Sequence, residues 1–178
     1  MPGYVLVNDN FHDYNVWITI HGILMIFFMI MPLMIGGIGN IIVPIQLAAP
    51  DMVFPRLNNL SLWFLPFSFI NIIISILIEN GSGAGWTLYA PLSAFSDGVD
   101  LLIFGIHFAG ISSLVSAINF ISTLLRMRWT VEPYYYWFSL PFYTWSIFIT
   151  AWLLVLTVPV LAAAVTMLLF DRHWNSCF

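Results

Sequence analysis

The chain has 178 residues, of which 61% are hydrophobic and only 7% charged, with a mean hydropathy of +0.98. Soluble domains carry about a quarter charged residues, so this composition excludes one and implies an integral membrane protein. With no lysine, four arginines and a net charge of −4, the chain has no basic footprint for nucleic acid, and its single Cys177 excludes an internal disulfide framework.

The acidic and basic residues leave long uncharged intervals over 14–50, 57–78, 101–125 and 133–170. Each exceeds the roughly 20 apolar residues that a helix needs to cross about 30 Å of hydrocarbon. Only helices or closed barrels satisfy their backbone in lipid, and these runs lack the strict alternation of barrel strands. The expected fold class is therefore all-α, a transmembrane bundle forming one domain over 1–178. Its four helices are placed near 15–43, 58–79, 99–126 and 138–170. A shorter interval, 80–96, contains Gly81, Gly83, Gly85 and Pro91 and reads as a loop. The polar segment 1–15 lacks the basic start of a secretory signal.

The first helix carries His21, seven residues after Tyr14 and so about 10 Å along the axis. At 100° per residue, Tyr14, His21, Met25, Phe28, Pro32, Gly36 and Gly39 fall on one face. A histidine inside the membrane needs a hydrogen-bond partner or a metal. It is either bonded to a neighbouring helix or an axial haem ligand, with the small and aromatic residues shaping a macrocycle pocket.

After this helix, Asp51 sits in a loop with Asn58 and Asn59 close behind. A solvated loop charge, paired with a cation such as Arg56, is the ordinary reading. A cluster of carboxylate and amides at a membrane entrance also suits proton collection. In the next loop, Trp86 and Tyr89 read as interfacial belt residues, or Trp86 donates its indole N–H to a ligand's carboxylate.

The third helix has a small and polar stripe through Gly105, Ala109, Ser112, Ser116, Asn119 and Thr123. Such stripes serve close helix packing, or line a water path that conducts protons. His107 lies about 200° from the start of the stripe. It follows Asp100 by seven residues, so a haem clamped between His21 and His107 is a competing reading. Pro159 predicts a kink in the fourth helix.

The arginines set the orientation. Arg56, Arg126 and Arg128 flank one side, whereas Arg172 shares the other with Asp9, Asp13, Glu79, Asp97 and Asp100. The positive-inside rule places both termini outside.

Several long segments then carry a specific resemblance. They begin with His21 to Phe28, Met31-Pro32 and Gly36-Gly37-Ile38-Gly39-Asn40, followed by Ala49-Pro50-Asp51-Met52-Val53-Phe54-Pro55-Arg56-Leu57-Asn58-Asn59. Gly85-Trp86-Thr87-Leu88-Tyr89, Ser112-Ser113, Ala117-Ile118-Asn119-Phe120, Pro159-Val160-Leu161-Ala162 and Thr166 to Arg172 complete the set. In order and spacing, nearly the whole chain resembles subunit I of the cytochrome c oxidase family, the haem–copper oxidases.

The resemblance implies helices two to five of a twelve-helix subunit. It implies that His21 is an axial ligand of haem a iron and that Tyr14 and Trp86 lie near the haem propionates. Asp51 would form the inner mouth of the D proton pathway, with Asn40, Asn58, Ser112, Ser113 and Asn119 along it. In this family the position of His107 is not a haem ligand.

The implied function is the core of cytochrome c oxidase, a terminal oxidoreductase coupling oxygen reduction to proton pumping. A quinol oxidase core, or a non-enzymatic haem-carrying electron-transfer subunit, is the alternative. The family's His-Pro-Glu-Val-Tyr copper segment and the remaining haem ligands are not among these residues. The expectation is therefore a piece of a split subunit I, or a shortened form, inactive alone and completed by other chains that hold haem a3 and copper B. The copper A subunit, cytochrome c and the lipid bilayer are the other expected partners. The expected location is the mitochondrial inner membrane, or alternatively a bacterial plasma membrane.

Overall fold

The computed structural model describes residues 11–78, 81–127 and 138–178. Four helices long and apolar enough to cross a membrane run through them: α1 (Phe11–Leu47), α2 (Pro55–Leu77), α3 (Gly98–Arg126) and α4 (Phe142–Trp174). Among the described residues there is no strand. Asp9, Glu79, Arg128 and the connection 129–137 lie outside the described residues.

The charge gaps locate the helices, while prolines and turn geometry set their ends. Pro55 begins α2 at the first helical position, where its missing N–H costs nothing. Pro141 does the same work just ahead of α4, so that helix starts later than the expected residue 138. α1 stops after Leu47 because Ala48 turns left-handed (φ 52°) and its N–H caps Ile45 and Pro44 carbonyls. The glycine-rich interval is the expected loop, with left-handed Gly81 and Gly85 and a short 3₁₀ turn at Leu92–Ala94.

α1 departs from the expected winding. It is α-helical over Phe11–Ile23 and Asn40–Leu47, but wound in π turns over Leu24–Ile30 and Pro32–Gly39. Pro32 supplies no N–H, and Gly36 and Gly37 are weak helix formers, so regular α bonding is least favoured there. A π turn closes i→i+5 bonds and holds more residues than an α turn, so each residue rotates by less than 100°. Tyr14 and His21 share a face as expected, because both lie in the α part. The face assigned onward through Met25, Phe28, Pro32, Gly36 and Gly39 drifts away from them.

α3 is the central helix, antiparallel to both α2 and α4. Its contact with α2 is a seam repeating every seven residues. Gly98 meets Ser75, Gly105 meets Ser68, and Ser112 meets Ser61. A Cβ at Gly98 would lie 2.7 Å from the Ser75 carbonyl oxygen, and one at Gly105 would lie 2.7 Å from Ile72 Cγ1. Only glycine permits this approach. The Ser112 hydroxyl donates to the Ser61 carbonyl at 2.6 Å, and the Ser68 hydroxyl donates to the Gly105 carbonyl. Lipid tails are as apolar as leucine, so close packing and such interhelical bonds, rather than hydrophobic burial, hold membrane helices together.

One apolar cluster gathers Val43, Leu47, Met52, Phe120, Leu124 and Ile147 around the α1–α2 turn. A second joins Val16, Ile20 and Ile23 of α1 to Ile72 and to Leu102 and Ile106 of α3. At the other end of the bundle, Arg172 of α4 is buried, its side chain only 5% exposed. It donates to Asp100 Oδ1 at 2.6 Å and to the carbonyls of Ser93 and Ser96 at 2.6 and 2.8 Å. His173 Nε2 lies 2.8 Å from the other Asp100 oxygen. The cation that ran against the charge asymmetry is thus neutralised internally. Arg56 and Arg126 remain exposed at the opposite end.

Candidate functional site: an open histidine and a polar cavity

His21 is exposed on α1, and among the described residues no hydrogen bond engages its ring. The loop beside it is fixed by two contacts. Thr19 Oγ1 accepts the Gly85 N–H at 2.9 Å, and Trp86 packs on Gly22, where a Cβ would approach the Trp86 Cβ to 3.1 Å. Trp86 therefore stands beside the residue that follows His21, half exposed, as is Tyr14 one stretch toward the outer end. The imidazole nitrogen is available to a metal, and the flanking indole and phenol are available to a polar group. Among the described residues no group of three or more His, Cys, Asp or Glu side chains could hold a metal ion. A single open imidazole could give one nitrogen to a metal whose other ligands lie elsewhere.

His107 has the opposite environment. Its Nδ1 lies 2.8 Å from the Ile103 carbonyl and its Nε2 lies 3.0 Å from Thr166 Oγ1 of α4. Both ring nitrogens lie within hydrogen-bond distance of protein oxygens, Nδ1–H donating to the Ile103 carbonyl and Nε2 accepting from the Thr166 hydroxyl in competition with the Ala162 carbonyl, so coordination would displace an existing contact.

The second feature is a cavity of about 860 Å³ between α1, α2 and α3. Its polar lining is Asn40, Asp51, Asn58, Asn59, Ser61, Ser112, Ser113 and Ser116, while Phe28, Pro32, Leu62 and Leu65 belong to its apolar wall. Leu65 lies ten residues beyond Pro55, so the cavity extends about 15 Å along α2, or roughly half the hydrocarbon thickness. The π-wound part of α1 forms one side of it. Asn40 donates to the Gly36 carbonyl at 2.6 Å and to Asn58 Oδ1 at 3.1 Å, which fixes the amide orientation because both partners accept. Among the described residues, its own Oδ1 is buried without a protein partner. An unmet acceptor on a polar cavity wall is a place for an ordered water.

Asp51 stands at the exposed end of this cavity. Among the described residues it forms no ion pair with Arg56, and its Oδ1 instead accepts the Met52 N–H at 2.7 Å. Asn40, Asp51, Asn58, Ser112 and Ser113 are brought together on one cavity. Asn119 is placed differently: it is fully buried beside the loop, with its amide on the backbone of Phe54. Ser113 bonds within its own helix, to the Ala109 carbonyl at 3.0 Å.

The seam serines of α2 are the residues that sequence reasoning missed. Ser61, Ser68 and Ser75 repeat at the same seven-residue step as Gly98, Gly105, Ser112 and Asn119. Matching one helix's small residues against the other's would have found them. Ser61 both completes the seam and lines the cavity.

Comparison with known proteins then gives the family. Residues 2–178 match the profile described as "Cytochrome C and Quinol oxidase polypeptide I". The chain is 48% identical over 181 residues to cytochrome c oxidase subunit 1 of Candida albicans, a match covering 99% of this chain and 34% of that protein. It is 47% identical to the Yarrowia lipolytica protein of the same name, with 99% and 33% covered. The Eremothecium gossypii protein is 46% identical, again with 99% and 33% covered. The chain spans about a third of the length of these relatives, and it belongs to the cytochrome c and quinol oxidase polypeptide I family.

Proposed function

We propose that the chain forms part of the catalytic core of a cytochrome c oxidase in the mitochondrial inner membrane. His21 serves there as an axial ligand of haem a iron, and Asp51 admits protons from the inner side. The observation that carries this reading is the open imidazole of His21 beside Trp86, set against a His107 whose nitrogens are both bonded. Bound at His21, haem a supplies one-electron transfer within a low-dielectric site.

The chain's own residues orient and isolate that site. Trp86, seated on Gly22, and Tyr14 would offer an indole N–H and a phenol to the haem propionates. Ile20 and Ile23, buried against α2 and α3, anchor the α1 turn that carries His21. At the inner side, the Asp51 carboxylate takes up a proton. Water held by Asn40, Asn58, Ser112 and Ser113 moves it inward along the cavity, and the free Oδ1 of Asn40 is one of its acceptors. Other segments of the oxidase would hold haem a3 and copper B, which would supply the oxygen-reducing chemistry. Cytochrome c and a copper A subunit are the proposed electron-supplying partners.

The family also contains quinol oxidases, but all three named relatives are cytochrome c oxidases, which favours cytochrome c as donor. A haem held between His21 and His107 is disfavoured by the two bonds His107 already makes. The test is to replace each histidine separately in the assembled oxidase and record the reduced-haem spectrum. His21→Ala abolishes the haem a band and His107→Ala retains it. Retention with His21→Ala would sink the assignment.

A further inference from the structure

Residues 81–86 run along the outer end of α1 and touch it at a helical step. A Cβ on Gly81 would come within 2.8 Å of Val16 Cγ1, and one on Gly83 within 3.1 Å of Asn15 Cβ. The Gly85 N–H donates to Thr19 Oγ1 at 2.9 Å, and the Trp86 side chain covers Gly22. Asn15, Thr19 and Gly22 are spaced by four and three residues, so they form one face of the α-helical part of α1. Gly81 and Gly85 are left-handed (φ 81° and 79°), a conformation that glycine adopts freely and that keeps the loop close to this face.

Thr19 is 0% exposed. Its hydroxyl donates to the Asn15 carbonyl at 2.6 Å, which spends its only proton and leaves its lone pairs for the Gly85 N–H. Gly85 directly precedes Trp86, so this bond fixes the backbone from which the indole projects. A Cβ on Gly22 would lie 3.1 Å from Trp86 Cβ and 3.3 Å from Cδ1, the carbon bonded to the indole nitrogen. Glycine at this position lets the nitrogen-bearing edge of the indole rest on the helix. His21 directly precedes Gly22 and lies about 100° around the helix from it. Among the described residues no hydrogen bond engages the Trp86 N–H, and the residue is half exposed.

We propose that Thr19 and Gly22 are positioning residues that tie the Trp86 indole to the helical turn carrying His21, so that imidazole and indole keep a fixed spacing. The proposal rests on His21 being the haem ligand. A donor held at fixed spacing from the ligating imidazole reaches a propionate of the same haem without further ordering, whereas one on a free loop must be ordered first. Hydrogen bonding beside a haem is one of the means by which a protein sets its reduction potential.

Thr19→Val removes the hydroxyl and keeps the volume. In the assembled oxidase carrying it, the reduced haem a band persists. Hydrogen exchange in the peptide over 84–87 rises about fivefold, the change expected for one hydrogen bond of about 1 kcal/mol. The midpoint potential of haem a becomes more negative, because a propionate with a poorly held donor favours ferric iron, and Thr19→Ser restores both. Trp86→Phe shifts the potential the same way, and adding Thr19→Val to it shifts it no further. Gly22→Ala displaces the indole but spares the Gly85 bond, so it shifts the potential with wild-type exchange. Unchanged exchange or a wild-type potential in Thr19→Val overturns the role of Thr19, and so does a further shift in the double variant. A wild-type potential in Gly22→Ala overturns the role of Gly22. His21→Ala in the same oxidase separates the two readings. Retention of the haem a band there removes the ligand assignment and the proposal with it. Loss of the band there, beside a wild-type potential in Thr19→Val, removes the positioning role alone.

Discussion

His21 and His107 are the same residue type at comparable distances from the same end of the bundle, and their surroundings differ in every respect that matters. His107 sits between α3 and α4 with a backbone carbonyl on one nitrogen and a threonine hydroxyl on the other. His21 is exposed, beside an indole seated on a glycine, with no hydrogen bond from the described residues. A buried polar group that has found its partners is structural, because further coordination would cost a bond already made. One held at a bundle face without partners awaits something else. The same contrast separates the α2–α3 seam, where hydroxyls close onto carbonyls, from the cavity, where Asn40 keeps an unmet oxygen.

Substitutions break or sharpen this contrast to different degrees. The largest effect is on the cavity side, where Asp51→Asn removes the titrating group. Because positioned proton transfer contributes about 10²–10⁴-fold, turnover is expected to fall by at least about tenfold, with proton uptake in reconstituted vesicles falling in parallel. Unchanged uptake would remove Asp51 from the path. On the closed side, Arg172→Met leaves Asp100 with His173 and strips the Ser93 and Ser96 carbonyls of their donor. Breaking a buried pair costs about 3–5 kcal/mol. The 20% exposure of Asp100 reduces this to about 2–3 kcal/mol, read as a lower unfolding temperature of the assembled oxidase.

Gly105→Val comes next. Its Cβ would meet Ile72 at 2.7 Å, and overpacking of that kind costs about 1–3 kcal/mol. Lower yield of assembled oxidase, with a normal haem spectrum in what does assemble, is the expected result. The smallest effect belongs to His107→Phe, at about 1–2 kcal/mol, since the Thr166 hydroxyl, with a single proton to give to Nε2 or to the Ala162 carbonyl, still has the carbonyl to donate to. Thermal stability falls slightly and the spectrum stays.

Much of this was legible in the residues. The four spans follow from where charges are missing, and the polar stripe on α3 follows from a step of three and four. Helix ends were displaced where Pro55 and Pro141 dictate the start and where Ala48 turns left-handed, none of which charge spacing encodes. The single face drawn down α1 failed past Ile23, because a projection at 100° per residue assumes α winding through Pro32 and Gly36-Gly37. Asn119 read as a polar residue on a stripe. Its use on Phe54 depends on a turn's backbone meeting a helix far away in sequence, which periodicity does not carry. The partners that distinguish His21 from His107 are equally non-local.

The central claim is that His21, open, is the haem ligand and that His107, closed, is not. The most direct measurement is the reduced-haem spectrum of the assembled oxidase with His21→Ala and, separately, His107→Ala. Loss of the haem a band in the first and its persistence in the second is the predicted result. Equal loss in both, or persistence in the first, would contradict it.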